Sequence, residues 1–224
     1  MIGIISALGR ELQTLAEALD GRETVRRSGL DYHTGTLDGA ECVLCECGVG
    51  KVNAALHAQI MIDFYRPDAI IFTGVAGALS PEVRHLDTIV ASELVYHDMQ
   101  EFVLEKFGLI EKVYYADARL SALAADVCAA RGVAHRVGRI ATGDRFVSDA
   151  AEKAEIFERT GALCTEMEGC AVAHAATLAG VPYAVLRAIS DLADGAADGD
   201  FDEFVERAAA TSAGVVREMV RRMR

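Results

Sequence analysis

Six apolar runs stand along the chain, each stopping at a glycine- or acid-rich break: "IGIISA" (2–7), "ECVLCECG" (41–48), "DAIIFTG" (68–74), "DTIVASELVYH" (87–97), "AHRVGRIATG" (134–143) and "PYAVLRAIS" (182–190). They are rich in β-branched residues and nearly continuous in hydrophobicity, as strands are when both faces of their sheet are covered. Between them the period changes to that of a helix. Leu12, Leu15 and Leu19 recur at helical spacing in Glu11–Leu19, Val52–Tyr65 and Leu120–Arg131 are alanine-rich, and Gly169–Leu178 follows a pair of glutamates. A last helix opens at Asp200, where Asp200 and Glu203 have capping-box spacing, and runs to the basic end "VVREMVRRMR". Strands alternating with helices predict a three-layer α/β fold, with residues 1–224 forming one domain around a central sheet. The stretch 24–48 breaks the alternation: it reads as two or three strands joined at "SGLD" and "LDGA", both hairpin signals. The sheet is therefore expected to be mixed.

Composition narrows the partners. The chain has 224 residues, 52% of them hydrophobic and only 3 prolines, enough to bury a sizeable core. A formal net charge of -12, with no lysine- or arginine-rich run, argues against nucleic acid. The first residues lack a basic leader region, and no stretch approaches the ~18 apolar residues of a membrane span, so a soluble, cytoplasmic protein without membrane contact is expected. Cysteines stand at 42, 45, 47, 128, 164 and 170. If "AECVLCECG" is a strand, Cys45 and Cys47 share a face that Cys42 does not, and no second Cys/His pair has finger-like spacing. Buried, reduced thiols are expected rather than a metal site, and no cofactor is called for.

Three motifs bear on chemistry. "CGVGKVNAA" (47–55) looks like a phosphate loop, but Cys45 and Val52 occupy positions where a Walker loop needs glycine and Ser/Thr, and Asn53 stands where a dinucleotide fingerprint needs glycine. A tight strand-to-helix turn remains. "IFTGVAGAL" (71–79) ends a buried strand in two glycines three apart, which lets a ligand approach the backbone at the carboxyl end of a strand. In "CTEMEGCAVAHAA" (164–176), Glu166 and Glu168 lead into an apolar helix; an extended entry would point both one way with Met167 opposite. Glu11 after the first strand and Asp191 after the last add carboxylates at two further elements, and the ends of parallel strands meet at one sheet edge. Several acids without metal-binding histidines suit a hydroxylated substrate that develops positive charge, such as a ribosyl oxocarbenium ion. Arg187, inside an apolar strand, needs a carboxylate partner from this group.

The segments "MIGIISALGRELQTL", "GVGKVNAA", "FTGVAGAL", "YHD", "TGDRFV", "TEMEGCAVA", "RAISDLAD" and "FDEF" together resemble the 5′-methylthioadenosine/S-adenosylhomocysteine nucleosidases of the purine nucleoside phosphorylase superfamily, over residues 1 to about 215. The resemblance implies one α/β domain with a central mixed sheet flanked by helices, usually a homodimer. It also implies hydrolysis of the N-glycosidic bond of 5′-methylthioadenosine, S-adenosylhomocysteine and 5′-deoxyadenosine, in methionine salvage. By the same resemblance Asp191 protonates adenine N7 and Glu11 activates water. Glu168 holds the ribose hydroxyls, Met167 packs beside the sugar, Phe146 and the backbone of Val147 meet adenine, and Gly77 belongs to the loop that admits the nucleoside. Ser190, Arg187 and Phe201 line or support the pocket. Gly9 and Arg10, Val75 and the 99–117 segment depart from the family's usual pattern, and the last of these bears on the 5′ substituent.

Three alternatives stay open. A purine nucleoside phosphorylase would need cations for phosphate, and Phe72 with the following glycine loop offers none. A hydrolase of futalosine-type nucleosides shares the fold. A nucleoside-binding protein without catalysis would not need Glu11, Glu168 and Asp191 together.

Overall fold

The structure is a computed structural model that describes residues 1–107, 111–191 and 201–224, without the side chains of residues 11, 101, 104, 105, 191 and 201–205. In chain order it contains β1 (Ile2–Ser6), α1 (Gly9–Glu17), β2 (Asp20–Arg27), β3 (Leu30–Leu37), β4 (Ala40–Glu46), α2 (Lys51–Tyr65), β5 (Ala69–Ala78), β6 (Thr88–Tyr96) and α3 (Glu101–Lys106). There follow β7 (Tyr114–Tyr115), α4 (Ala118–Ala130), β8 (His135–Thr142), α5 (Ala150–Thr160), β9 (Cys164–Glu166), α6 (Gly169–Ala179), β10 (Tyr183–Asp191) and α7 (Phe201–Arg222). Asp200, and with it the expected capping box, lies outside the described residues.

All strands join one mixed sheet in the order β10-β6-β8-β9-β5-β1-β4-β3-β2, with β7 on β6. Because β10 also pairs with β5, the strands β10, β6, β8, β9 and β5 close into a ring. The parallel core is β4-β1-β5-β10, with Ile5 beside Cys45 and Phe72, and Val185 beside Phe72. β2, β3 and β4 form the expected antiparallel meander, turning at Ser28–Gly29 and Asp38–Gly39 with positive φ at all four residues.

Two apolar clusters lie on opposite faces of this sheet, which explains the unbroken hydrophobicity of its strands. Ile5, Val43, Cys45, Cys47, Ile70, Phe72 and Val185 pack with Met61 of α2 and Val172 of α6. Their chain neighbours Ile4, Cys42, Leu44, Ile71, Ala184 and Leu186 pack with Leu12 and Leu15 of α1, Val127 of α4 and Val216 of α7. Helices thus cover both faces of the sheet. Cys45 and Cys47 share one face and Cys42 the other, as the alternation requires, and all six cysteines are free and buried.

Candidate active site

The carboxyl ends of β1, β5 and β10 meet the β9–α6 junction at one edge of the sheet. Between them lies a cavity of about 200 Å³ lined by residues from β1–α1 (Ala7, Leu8), β5 (Gly74 to Gly77), the segment after β8 (Arg145, Phe146, Val147), β9–α6 (Thr165 to Glu168) and β10 (Arg187, Ser190), with Val49 completing it. β5 continues through both glycines to Ala78, four residues beyond the expected end at Gly74, because Gly77 and Ala78 pair with Thr165 and Cys164 of β9. The glycines bring bare backbone to the cavity wall.

Arg187 stands where a strand residue facing the first apolar cluster would be apolar, and it is 1% exposed. Its Nε and Nη2 donate to Glu166 Oε2 at 3.2 and 2.5 Å, and its guanidinium carbon lies 4.1 Å from the Phe72 ring centroid. Glu166 also accepts the backbone N–H of Glu168 at 3.0 Å and of Gly169 at 2.6 Å, and the Thr142 hydroxyl donates to its other oxygen. Thr142 in turn accepts the N–H of Cys170 at 2.9 Å. One carboxylate therefore neutralises the buried arginine and satisfies the first amides of α6.

Glu168 is used differently. β9 ends at Glu166, and Glu168 sits at the N-cap of α6 with φ −137° and ψ −37°, so extended alternation does not reach it. The expectation that Met167 would point away from both glutamates is corrected accordingly: all three line the cavity. Glu168 Oε1 accepts the Gly50 N–H at 2.9 Å, and Oε2 lies 3.7 Å from Arg187 Nη2. Burial, then the charge of Glu166, push its carboxyl up to about 7, with Arg187 pulling against them. Glu168 is thus a buried carboxyl at the cavity wall, tied to the Gly50 N–H and close to Arg187.

Ser190 is buried and lines the cavity, at a register shift between Ile189 and Asp191 in the β10–β5 pairing. Asp191 closes β10 opposite Gly77, one residue beyond the expected strand end. Glu11 lies in α1, directly after the Ala7–Leu8 wall, and Phe201 is the first residue of α7. The side chains of these three residues are outside the described set. Val147 is buried, whereas the Phe146 ring is 67% exposed at the cavity mouth, where an aromatic face is open to a planar ligand. Val75, the departure noted from the sequence, is also part of the wall.

Sequence reasoning placed Glu166 in the group of acids without singling it out as the partner of Arg187, and it left Thr142, a further donor to Glu166, and Arg145 of the cavity wall without a role. Arg187 was the signal for Glu166, since a cation in a buried strand demands an equally buried anion.

Residues 1–221 match the Phosphorylase superfamily. The 5′-methylthioadenosine/S-adenosylhomocysteine nucleosidase of Chromohalobacter salexigens is 36% identical over 99% of this chain and 97% of its own length. Among solved structures, the Campylobacter jejuni 5′-methylthioadenosine/S-adenosyl homocysteine nucleosidase superposes with a TM-score of 0.93 at 35% identity, covering 99% of this chain and 98% of that one. The S. pneumoniae nucleosidase with the transition-state inhibitor MT-ImmA gives 0.92 at 34% identity, covering 100% and 99%. With similarity running the length of both partners, the chain belongs to the Phosphorylase superfamily and, within it, to the 5′-methylthioadenosine/S-adenosylhomocysteine nucleosidases.

Proposed function

We propose that this chain hydrolyses the N-glycosidic bond of 5′-methylthioadenosine and S-adenosylhomocysteine, releasing adenine and the 5′-thio-substituted ribose, and that it also accepts 5′-deoxyadenosine. The observation that carries the reading is the buried Glu166–Arg187–Glu168 group at the cavity wall. With all three ionised it leaves one negative charge in a largely apolar enclosure, where it stabilises a ribosyl cation far better than it could in water. Glu168 holds the ribose hydroxyls, its lone pairs being only partly used by Gly50. Met167 packs against the sugar, Phe146 covers the purine, Val147 supplies backbone contacts, and Gly77 and Ser190 shape the wall, with Phe201, the first residue of α7, assigned to the pocket by the family resemblance.

In this mechanism Asp191 donates its proton to adenine N7 as the C1′–N9 bond breaks, so that adenine leaves neutral. Glu11 takes a proton from the water whose oxygen bonds to C1′. One bond to carbon forms and one breaks, and no further reactant is needed. Phosphorolysis is disfavoured because both arginines among the described lining residues already have carboxylate partners: Arg187 with Glu166, and Arg145 with Glu152 at 3.2 Å. The test is adenine release from 5′-methylthioadenosine with and without phosphate. Equal rates with a free reducing sugar support hydrolysis; a strict phosphate requirement with sugar phosphate as product overturns it.

The working form proposed is a homodimer. Val49, Val52 and Leu56 are exposed along one stripe that runs from the cavity mouth down α2, and Phe102, Phe107 and Tyr115 are exposed in the 94–115 region, which this reading places in part at the interface. Sedimentation as a monomer at micromolar concentration would contradict this. A cytoplasmic site of action, in methionine salvage, agrees with six unpaired cysteines and with the finding that no described helix is long and apolar enough to cross a membrane. Activity confined to an exported fraction of cells would refute it.

A further inference from the structure

The 47–51 turn fails as a phosphate loop and enters the mechanism above only through the Gly50 N–H on Glu168, yet its backbone ties together two segments of the site. Gly50 donates its N–H to Glu168 Oε1 at 2.9 Å, and the next amide, that of Lys51, donates to Asp144 Oδ1, also at 2.9 Å. Glu168, Phe146 and Val147 all line the cavity, and Asp144 belongs to the same 142–147 segment as the last two; the proposed binding mode assigns Glu168 to the sugar and Phe146 and Val147 to the base. Gly48 and Gly50 have φ of 78° and 96°, values a side chain would resist, so glycine is what lets two consecutive amides face these two carboxylates.

The Lys51 side chain adds a second clamp. Its Nζ meets both carboxylate oxygens of Asp98 at 2.8 and 2.7 Å and lies 3.5 Å from Asp144 Oδ2. Asp98 Oδ2 also accepts the Asp144 N–H at 2.8 Å. The Lys51 and Asp98 side chains are 20% and 21% exposed, shielded enough for the charges to fix a geometry. Gly143 packs so closely on buried His97 that a Cβ there would strike the imidazole. The 142–147 segment is therefore pinned from three directions just before it presents Phe146.

We propose that Lys51, acting through Asp98 and Asp144, is a positioning residue that holds the 142–147 segment against the purine, and that the 47–51 turn sets the spacing between this segment and Glu168. The inference rests on the nucleosidase reading, and its test separates the two. Lys51→Met, Lys51→Arg and Asp98→Asn are compared for steady-state turnover of 5′-methylthioadenosine and for adenine binding by calorimetry. Lys51→Met raises KM and the adenine Kd roughly ten-fold, about the worth of one charge-assisted hydrogen bond, and leaves kcat within about three-fold. Lys51→Arg recovers most of the loss, and adding Asp98→Asn to Lys51→Met changes little further, since the two act as one unit.

A merely structural role would lower the melting temperature with KM and Kd unchanged, and that result overturns the proposal. If Lys51→Met does not fold, Asp98→Asn alone decides: a wild-type KM and Kd overturn the proposal, and a rise in both supports it. A wild-type protein that binds adenine but releases none from 5′-methylthioadenosine defeats the nucleosidase reading, while the ratio of adenine Kd values still decides the clamp.

Discussion

Two groups of arginines and carboxylates in this molecule use the same chemistry to opposite ends. At the β3–β4 turn, Arg217 grips both oxygens of Asp38 at 2.8 Å, Arg221 reaches it at 3.1 Å, and Arg224 donates to its backbone carbonyl. Arg217 and Arg221 keep 36% and 48% of their side-chain exposure while Asp38 keeps 12%, so the cations stay in water and the carboxylate trades its hydration for their hydrogen bonds. Hydrogen bonds from Arg217 first, then from Arg221, hold the Asp38 carboxyl down to about 2. This group latches the C-terminal helix to the meander. At the cavity, Arg187 and Glu166 are 1% and 2% exposed, and their neighbour Glu168 is pushed up rather than down. Stripping water from such a pair costs several kcal/mol per ion, and apolar residues of similar volume fill such a site at least as stably. Access to water decides the sign: the exposed group serves the fold, and the buried one is best understood through the substrate.

The comparison separates activity from stability, and substitutions on each side should show it. The largest expected effect is at Asp191. Asp191→Asn can still donate a hydrogen bond but cannot deliver a proton, so turnover of 5′-methylthioadenosine falls about 10²–10⁴-fold while the melting temperature stays put. A nucleoside whose leaving group needs no protonation should be affected far less. Near wild-type adenine release by this variant would reduce Asp191 to a turn residue.

Next comes pH. Glu168 must be ionised to accept two hydroxyls, and its carboxyl titrates at about 7, so KM should rise as pH falls below that value, by up to about ten-fold per unit. Glu168→Gln should raise KM at neutral pH and flatten this dependence. The stability sign is opposite: with its folded value raised, Glu168 favours the folded state below the ordinary carboxylate range, and that contribution is lost as pH rises through about 7. A KM profile unchanged by Glu168→Gln would assign the titration elsewhere.

The smallest effect belongs to the latch. Asp38→Asn should cost about 1 kcal/mol in chemical denaturation and leave kcat/KM unaltered. Because the folded value of Asp38 is depressed, its contribution is present above the ordinary carboxylate range and lost as pH falls toward 2. A loss of activity larger than the loss of stability would join the two regions that the comparison keeps apart.

Much of this was legible in the sequence because long, two-face-buried strands announce themselves. β1, β4, β6, β8 and β10 fall within one or two residues of the apolar runs, and the meander follows its turn signals. The ring closure was not legible, since it depends on β9, three residues whose pairing with β5 and β8 leaves no periodic trace. α5 escaped notice because among its described contacts with the core only Ile156 and Thr160 are buried, too few for an apolar stripe. In the site, the residue types were readable but their division of labour was not. Whether Glu166 or Glu168 holds Arg187 depends on where β9 stops, and propensity does not fix a boundary to one residue.

The most direct test of the central claim compares Arg187→Met alone with the Glu166→Gln/Arg187→Met pair. Removing only the arginine strands a buried carboxylate and should cost about 3–5 kcal/mol. In the double variant, glutamine keeps an acceptor for the α6 amides, and the one buried carboxyl left at the wall, Glu168, is favoured by burial in its neutral form, so the melting temperature should return to within a few degrees of wild type. Adenine release from 5′-methylthioadenosine should nevertheless remain at least about 100-fold below wild type, because the charge arrangement facing the ribosyl cation is gone. A double variant that melts far below wild type while retaining its rate would contradict the account and make the buried pair a device of stability alone.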